Sequence, residues 1–311
     1  MIVLTGLAAK QRQLRLIQPL QEEANVIGCN HQIIVTTHSP LLASVINLEN
    51  IIMMKDAKPY PLSQNHTKLD NDDYRFLECY LDATKSNLFF AKNVLIVEGP
   101  SEKLLLPTIA RLLGRDLAEY GVSIVNVRST GLRRYARIFQ RKDETNILKI
   151  KVACIVDKDI MPDCAPGICI NEKYVDTSNW PSLEEDKRRW RAEADFPKQT
   201  DKDAYIDELK KRVDGQWVKT FVANCWTLEY DLAFSGLSNE IVEAIVKVRY
   251  VPNNQTKKMQ EIQEKLLEYK NDEQKASYIY SFFWGDSTSK AEADQQLEAI
   301  LDENMLLILQ P

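Results

Sequence analysis

The stretch NVLIVEGPSEKLLLP, residues 93–107, changes from apolar to polar and back to apolar. Val94–Val97 are four consecutive apolar residues, which is typical of a strand buried in a sheet. The run ends directly at Glu98, and a Gly-Pro pair separates it from a leucine-rich stretch that favours a helix over about 101–113. A buried strand that ends in a carboxylate, with Glu102 one helical turn later, indicates that these acids have a function.

Strand-like and helix-like stretches alternate along the chain after this point. We predict strands at 93–97, 122–127, 151–159 and 217–223, and helices at about 101–113 and 132–141. Such alternation is typical of an α/β fold with a parallel sheet that helices cover on both faces.

The rest of the chain has a different composition. Residues 55–75 are polar and contain two prolines, so we interpret them as a loop or linker, with a domain boundary near 75–92. We therefore predict a first segment over 1–75 and an α/β domain over 90–311, the latter with an insertion at about 163–220 and C-terminal helices at about 238–311.

Composition narrows the class of protein. The chain is 44% hydrophobic and 27% charged, as expected for a packed globular protein, and its net charge of −5 weighs against a general polyanion binder. No apolar run approaches twenty residues, which predicts no membrane span. The six cysteines are scattered, and the closest pair, Cys164 and Cys169, lies far from any histidine, so we expect reduced thiols in a cytoplasmic protein and no zinc site.

Acidic residues follow two of the predicted strands. Glu98 follows the first, and Asp157 and Asp159 end the strand predicted at 151–159. In an open parallel sheet, function collects at the carboxyl ends of the strands, and alternation along a strand would point both aspartates the same way. Together with Glu102 these acids would repel one another unless a hard divalent cation lay between them. The alternative is that they only cap helices or face water.

The ordered set of motifs resembles a known family. "VLIVEGPSEKLLLP" followed by "IVDKD", with Asp157 lying 59 residues after Glu98, resembles the Toprim fold, a metal-binding α/β module of topoisomerases, primases and certain nucleases. The longer context resembles the overcoming-lysogenisation-defect (OLD) endonucleases, which are ATPases fused to a Toprim nuclease. "TTHSPLLAS" (36–44), "WTLEYDLAFSGL" (226–237) and "SKAEADQQL" (289–297) resemble further segments of that family.

The resemblance implies a site and a reaction. It implies a Rossmann-like parallel sheet and a DNA endonuclease that uses Mg²⁺ or Mn²⁺, with Ca²⁺ as a non-productive occupant. The implied metal ligands are Glu98, Glu102, Asp157, Asp159 and, as a later acidic position, Glu229. Lys290 matches a lysine that faces the scissile phosphate, and with Glu98, Asp157 and Asp159 it completes the implied catalytic set. Lys290 could instead be a solvated lysine, and Glu229 an ordinary acid at a helix start.

A basic stretch without acids runs from Tyr120 to Lys142. We predict that four of its arginines bind nucleic acid through phosphates: Arg133, Arg134, Arg137 and Arg141. On one helix, the last three would share a face that could follow a DNA backbone without reading bases. The alternative is a solvated cationic face.

The N-terminal segment resembles part of an ABC-type ATPase but lacks its nucleotide site. No G-x-x-x-x-G-K-[ST] loop is present, so we expect no ATP hydrolysis by this chain alone. We predict a helix at 10–27, a strand over Gln32–Thr36 and a helix after Pro40. An incomplete sheet would expose an edge, so we expect either disorder or cover over Ile33, Val35 and Leu41, from a second copy of the chain or a separate ATPase partner.

Two other classes of protein remain open. A non-catalytic Toprim scaffold could bind nucleic acid or a partner, with the ATPase half supplied in trans. A primase or topoisomerase relative is the other, but a topoisomerase needs a catalytic tyrosine, and no feature singles out one of the twelve tyrosines.

Overall fold

The computed structural model describes residues 2–3, 19, 33–127, 131–169, 191–283 and 287–308. The strands within these residues are β1 (Ile2–Val3), β2 (Val35–Thr36), β3 (Ile52–Lys55), β4 (Lys58–Pro61), β5 (Asn93–Val97), β6 (Val122–Asn126), β7 (Lys151–Val156), β8 (Ile160–Met161), β9 (Arg191–Ala192) and β10 (Val218–Val222). The helices are α1 (Pro40–Ala43), α2 (Asn71–Tyr80), α3 (Pro100–Leu112), α4 (Leu132–Arg137), α5 (Ala165–Cys169), α6 (Gln199–Lys211), α7 (Leu228–Leu232), α8 (Ser238–Arg249), α9 (Pro252–Glu268), α10 (Asp272–Ser281) and α11 (Ser287–Ile308).

The central sheet has the strand order β10–β7–β5–β6. The amide of Val152 donates to the carbonyl of Trp217 at 3.0 Å, and the amide of Ala223 donates to the carbonyl of Val156 at 2.9 Å. Partner numbers on β7 and β10 therefore rise together, as they do in a parallel pair. The predicted α/β fold, with a parallel sheet flanked by helices, is confirmed.

Strand β5 lies at the centre of this sheet, and its sequence explains why. Residues Val94–Val97 are all at least 92% buried, because a strand covered on both faces excludes water from every side chain. The strand occupies the predicted residues 93–97, and helix α3 starts one residue before the predicted position, at Pro100. Proline suits the first turn of a helix because the amide it lacks would have no helical partner there.

Three sequence predictions need correction. Strand β7 ends at Val156, so Asp157 and Asp159 follow the strand and do not alternate along it. Asp159 has a left-handed backbone with φ of 55°. Helix α4 ends at Arg137 and does not reach residue 141. The predicted loop at 55–75 contains the hairpin β3–β4 and the start of helix α2.

The chain divides into two compact units, and the candidate metal ligands all belong to the second. The first unit comprises Met1–Ile96, Ala118–Cys154 and Val213–Lys219, and the second comprises Val97–Leu117, Ile155–Arg212 and Thr220–Pro311. Within the second unit, helix α11 packs against α8 and α3 around a core that includes Trp226, Tyr230 and Ile245.

The start of the chain is described only in part. β1 pairs in parallel with β2, and α1 follows at Pro40, where a helix was predicted. The helix predicted at 10–27 lies outside the described residues apart from Pro19, and the division into 1–75 and 90–311 stays a prediction. No helix in the described part of the chain is long and apolar enough to cross a membrane.

Candidate metal centre

The first two acids lie at the junction of β5 and α3. Glu98 follows the strand directly and is half-buried, and Glu102 lies in the first turn of the helix with 8% of its surface exposed. Gly99 lies between them, and a Cβ atom at this position would be 2.6 Å from Oε2 of Glu102. The Gly99–Pro100 step therefore starts the helix and leaves room for the Glu102 carboxylate beside the backbone.

The second pair of acids lies just beyond β7. Asp157 is half-buried and Asp159 is exposed. Lys158 lies between them in the sequence, and its Nζ donates to the carbonyl of Asn224 at 2.6 Å.

Glu229 and Lys290 form a largely buried ion pair. Nζ of Lys290 is 2.7 Å from Oε1 of Glu229, whose side chain is only 2% exposed. Thr227 caps the start of helix α7 and so fixes the turn that carries Glu229. Glu229 is therefore not an acid that merely faces water, and Lys290 is not a freely solvated lysine.

Asp294 is a further acid in this cluster that the sequence analysis missed. It lies one helical turn after Lys290 on α11, is 2% exposed, and accepts a hydrogen bond of 2.6 Å from the hydroxyl of Ser101. The segment "SKAEADQQL" could have indicated it, because Lys290 and Asp294 are four residues apart and residues at that spacing share one face of a helix.

Burial and mutual repulsion raise the pKa values of the acids nearest the strand ends. Burial, followed by repulsion from Asp159 and Glu102, raises the pKa of Glu98 to about 7. Burial, followed by repulsion from Glu102 and Glu229, raises the pKa of Asp157 to about 9. Each carboxyl group therefore resists ionisation while its neighbours are charged.

The same forces act at the helical side of the cluster. Burial raises the pKa of Glu102, and the Glu229 carboxylate adds to the effect. Burial and Glu229 raise the pKa of Asp294 to about 7. Burial alone would lower the pKa of Lys290, but the Glu229 carboxylate outweighs it and the pKa is raised.

The donor set fits a hard divalent cation. In the part of the chain that the structure describes, no three Asp, Glu, His or Cys side chains lie close enough together to hold a metal ion as they stand. However, the cluster offers only oxygen donors, and Oε2 of Glu102 and Oε2 of Glu229 are buried without a hydrogen-bond partner among the described residues. Mg²⁺ and Mn²⁺ prefer carboxylate oxygens.

The four predicted phosphate-binding arginines lie in the first unit, and three of them converge on a buried acid. Nη1 of Arg137 is 2.8 Å from Oδ2 of Asp73, Nε of Arg134 is 3.3 Å from Oδ1, and Nη2 of Arg133 is 4.0 Å from Oδ1. Asp73 has a side chain that is 1% exposed, and Arg134 also stacks on Phe76 at 4.2 Å. These contacts have a structural role whether or not the arginines also bind DNA.

Arg141 does not share a face with the other arginines. It lies beyond α4, is 2% exposed, and donates to the carbonyl of Pro61 at 2.7 Å. The predicted face fails at this residue because the helix ends four residues earlier, and the buried guanidinium is not available to a phosphate in this conformation. Arg128, also in the basic stretch, lies outside the described residues.

Comparisons with known proteins agree with the sequence motifs. Residues 89–159 match the family described as "Overcoming lysogenization defect protein-like, TOPRIM domain". The C-terminal region of the Xanthomonas campestris pv. campestris OLD protein is 15% identical, covers 71% of this chain and 99% of its own, and gives a TM-score of 0.34. The corresponding region from Burkholderia pseudomallei is 17% identical, covers 68% and 99%, and gives 0.33.

No curated protein matches the chain significantly. The matched residues include Glu98, Glu102, Asp157 and Asp159, whereas Glu229 and Lys290 lie outside them. Toprim domains generally bind divalent metals. Residues 89–159 therefore resemble the Toprim domain of OLD-like proteins, and this resemblance supports a nuclease-type or nucleic-acid-related function.

Proposed function

We propose that the chain is a divalent-metal-dependent DNA endonuclease that nicks or cleaves phosphodiester bonds. The observation that carries this proposal is the crowding of acids in the second unit. Lys290 pairs with Glu229, and six carboxyl groups lie close enough to repel one another: Glu98, Glu102, Asp157, Asp159, Glu229 and Asp294. Because burial and repulsion raise the pKa values of Glu98 and Asp157, joint ionisation of the cluster needs compensation, and a bound divalent cation supplies it.

The residues that would hold the metal are Glu98, Glu102, Asp157, Asp159 and Glu229. Mg²⁺ or Mn²⁺ bound there would activate a water molecule and stabilise the leaving oxygen of a phosphodiester. Asp294 has a supporting role in this proposal, because its hydrogen bond with Ser101 connects α11 to the first turn of α3.

Lys290 would act on the phosphate itself. Its raised pKa keeps the ammonium protonated at neutral pH, so it can offset negative charge that develops on the phosphate during attack. In the structure its Nζ rests on Glu229 at 2.7 Å. That pairing positions the lysine beside the proposed metal ligands.

The partners implied by this function are DNA and either a second copy of the chain or a separate ATPase, acting in the cytoplasm. We expect no binding of ATP by the isolated chain, because it encodes no glycine-rich phosphate loop. Calorimetric titration with ATP tests this, and micromolar binding would contradict it. Cleavage should likewise be the same with and without ATP.

A non-catalytic Toprim scaffold is the second candidate. The Lys290–Glu229 ion pair favours it, because a lysine that neutralises a carboxylate can replace a metal ion as the compensating charge. Such a protein would bind nucleic acid or a partner without cutting.

Incubation with plasmid DNA separates the two candidates. The wild-type chain should relax or linearise supercoiled plasmid in Mg²⁺ or Mn²⁺ and not in EDTA. The Asp157→Ala variant, purified in the same way, controls for a contaminating nuclease. Metal-independent cutting, or equal cutting by both proteins, would contradict the nuclease proposal, and DNA binding without cutting would support the scaffold.

A further inference from the structure

Lys158 has an unusual environment for a residue between two candidate metal ligands. It is 8% exposed, and its side chain points to a different part of the second unit, the turn at 224–226. Its Nζ donates to the carbonyl of Asn224 at 2.6 Å, and its own amide donates to the carbonyl of Trp226 at 3.0 Å. Backbone and side chain are therefore both bound to the same turn.

The turn is itself held by a single carboxylate. Asp231 accepts hydrogen bonds from the amides of Asn224 at 2.8 Å, Cys225 at 3.2 Å and Trp226 at 2.9 Å. An ionised carboxylate that accepts from several consecutive amides makes strong, charge-assisted bonds. Asp231 also lies on helix α7, two residues after Glu229.

We propose that Lys158 and Asp231 are positioning residues that together hold three acids of the candidate metal centre in place. Asp231 fixes the turn, the turn fixes Lys158, and Lys158 fixes Asp157 and Asp159 on either side of it. Glu229 is placed by the same helix as Asp231. The proposal rests on the proposed metal-dependent function and deepens it, because it assigns two residues that set metal affinity without touching the metal.

The arrangement explains why a cation is suitable at position 158. A neutral residue could fill the same space, but a cation makes a stronger, charge-assisted bond to the carbonyl of Asn224. Supporting groups of this kind control metal affinity in other proteins by factors of about 10–100.

Hydrogen exchange tests the contact network without reference to metal. In Asp231→Asn, the amides of residues 224–226 should exchange roughly tenfold faster, because bonds to a neutral amide oxygen are weaker than bonds to a carboxylate. Amides of helix α9, which the network does not include, should be unchanged and serve as the internal control. Unchanged exchange at residues 224–226 would overturn the proposal.

Binding of Mn²⁺, followed by electron paramagnetic resonance of the full chain, tests the functional consequence. Lys158→Met should weaken Mn²⁺ binding by about 10–100-fold, and Lys158→Arg should recover part of the loss. The matched control is Lys247→Met, which removes a lysine paired with Glu243 in the same unit and should bind Mn²⁺ as the wild type does. Wild-type affinity in Lys158→Met would overturn the proposal.

The two measurements keep this proposal distinct from the nuclease proposal. If Lys158→Met does not fold, Asp231→Asn takes its place in the Mn²⁺ measurement, with the same expected loss. If the wild-type chain binds no Mn²⁺, the metal-dependent function is wrong and so is the role of these residues in metal affinity. Exchange at residues 224–226 then decides whether the contact network itself exists.

Discussion

The acidic cluster of the second unit and the arginine cluster of the first have opposite compositions. Around Asp73, three arginines meet two carboxylates, those of Asp73 and Asp70, and the arginine side chains stay 25–47% exposed. In the acidic cluster, six carboxyl groups repel one another while the Lys290 ammonium pairs with Glu229, and Glu229 and Asp294 are 2% exposed. Water solvates the positive excess, whereas burial leaves the negative excess without that compensation. Buried charge of one sign therefore needs a counter-charge, whereas exposed charge is solvated and does not by itself indicate a ligand.

The largest expected effect is loss of cleavage when the acidic cluster is broken. Asp157→Ala and Asp159→Ala should each lower plasmid cleavage by about 10²–10³-fold or more, because each removes a carboxylate that would hold the metal. Metal-free thermal unfolding should occur at the wild-type temperature or above it, since repulsion is relieved. Asp201→Ala, an exposed acid on α6, is the control. Normal cutting by the first two variants would show that the acids do not bind a catalytic metal.

Removal of the buried acid in the arginine cluster should lower the stability of the protein. Asp73→Ala removes the buried carboxylate that three guanidinium groups approach, while Asp70 still pairs with Arg137, and we expect a loss of about 2–3 kcal/mol in the free energy of unfolding. This is below the 3–5 kcal/mol typical of a fully buried pair, because the arginines are partly solvated. Urea unfolding measures it. Asp72→Ala, whose side chain is 82% exposed, should change stability by less than about 0.5 kcal/mol. Equal stability of the two variants would contradict a structural role for the cluster.

A milder change tests the hydrogen bond between Ser101 and Asp294 in the acidic cluster. Asp294→Asn and Ser101→Ala should each reduce cleavage roughly tenfold, because each weakens or removes the 2.6 Å hydrogen bond between these two residues. That bond connects helix α11, which carries Lys290, to helix α3, which carries Glu102. The double variant should lose little more than either single one, as expected for residues that act through one contact. Fully additive losses in cleavage rate would argue that the two residues act independently.

The smallest effect concerns DNA binding by the arginines. Arg134→Glu with Arg137→Glu should weaken binding broadly and lower its salt dependence, but it also places two carboxylates against buried Asp73 and should destabilise the first unit. Arg133→Gln is cleaner, since its Nη2 only approaches Asp73 at 4.0 Å. It should weaken binding a few-fold and reduce the salt slope by about 1. Unchanged affinity and slope at several salt concentrations would leave Arg133 a solvated residue.

The sequence predicted the sheet better than the regions around it. β5 was located to the residue, because four buried apolar positions and a Gly-Pro stop agree with each other. The hairpin β3–β4 was missed because its turn uses Asp56 and Ala57 with positive φ, in place of the usual glycine or asparagine. Helix α2 was missed because its sequence is mostly polar, although Asp70 and Asp73 form a capping box at its start.

The sequence identified which residues form the candidate site better than it predicted the contacts between them. Glu98 and Asp157 were identified from their positions after strands, which depends on local sequence alone. Asp294 and Ser101 are 193 residues apart, and no local pattern indicates that contact. Arg141 was placed on the helical face of the other arginines because helical periodicity was extended past Arg137, where the helix ends.

The left-handed backbone at Asp159 has a consequence for how this protein can change over evolutionary time. With φ of 55°, the position accepts glycine, asparagine or aspartate with little strain, while alanine or glutamate would cost more. Of those three residues only aspartate carries a charge. A lineage that no longer needed the acid would therefore drift to asparagine or glycine and keep its fold. Relatives that have lost the chemistry should be recognisable by that one substitution after an otherwise intact strand.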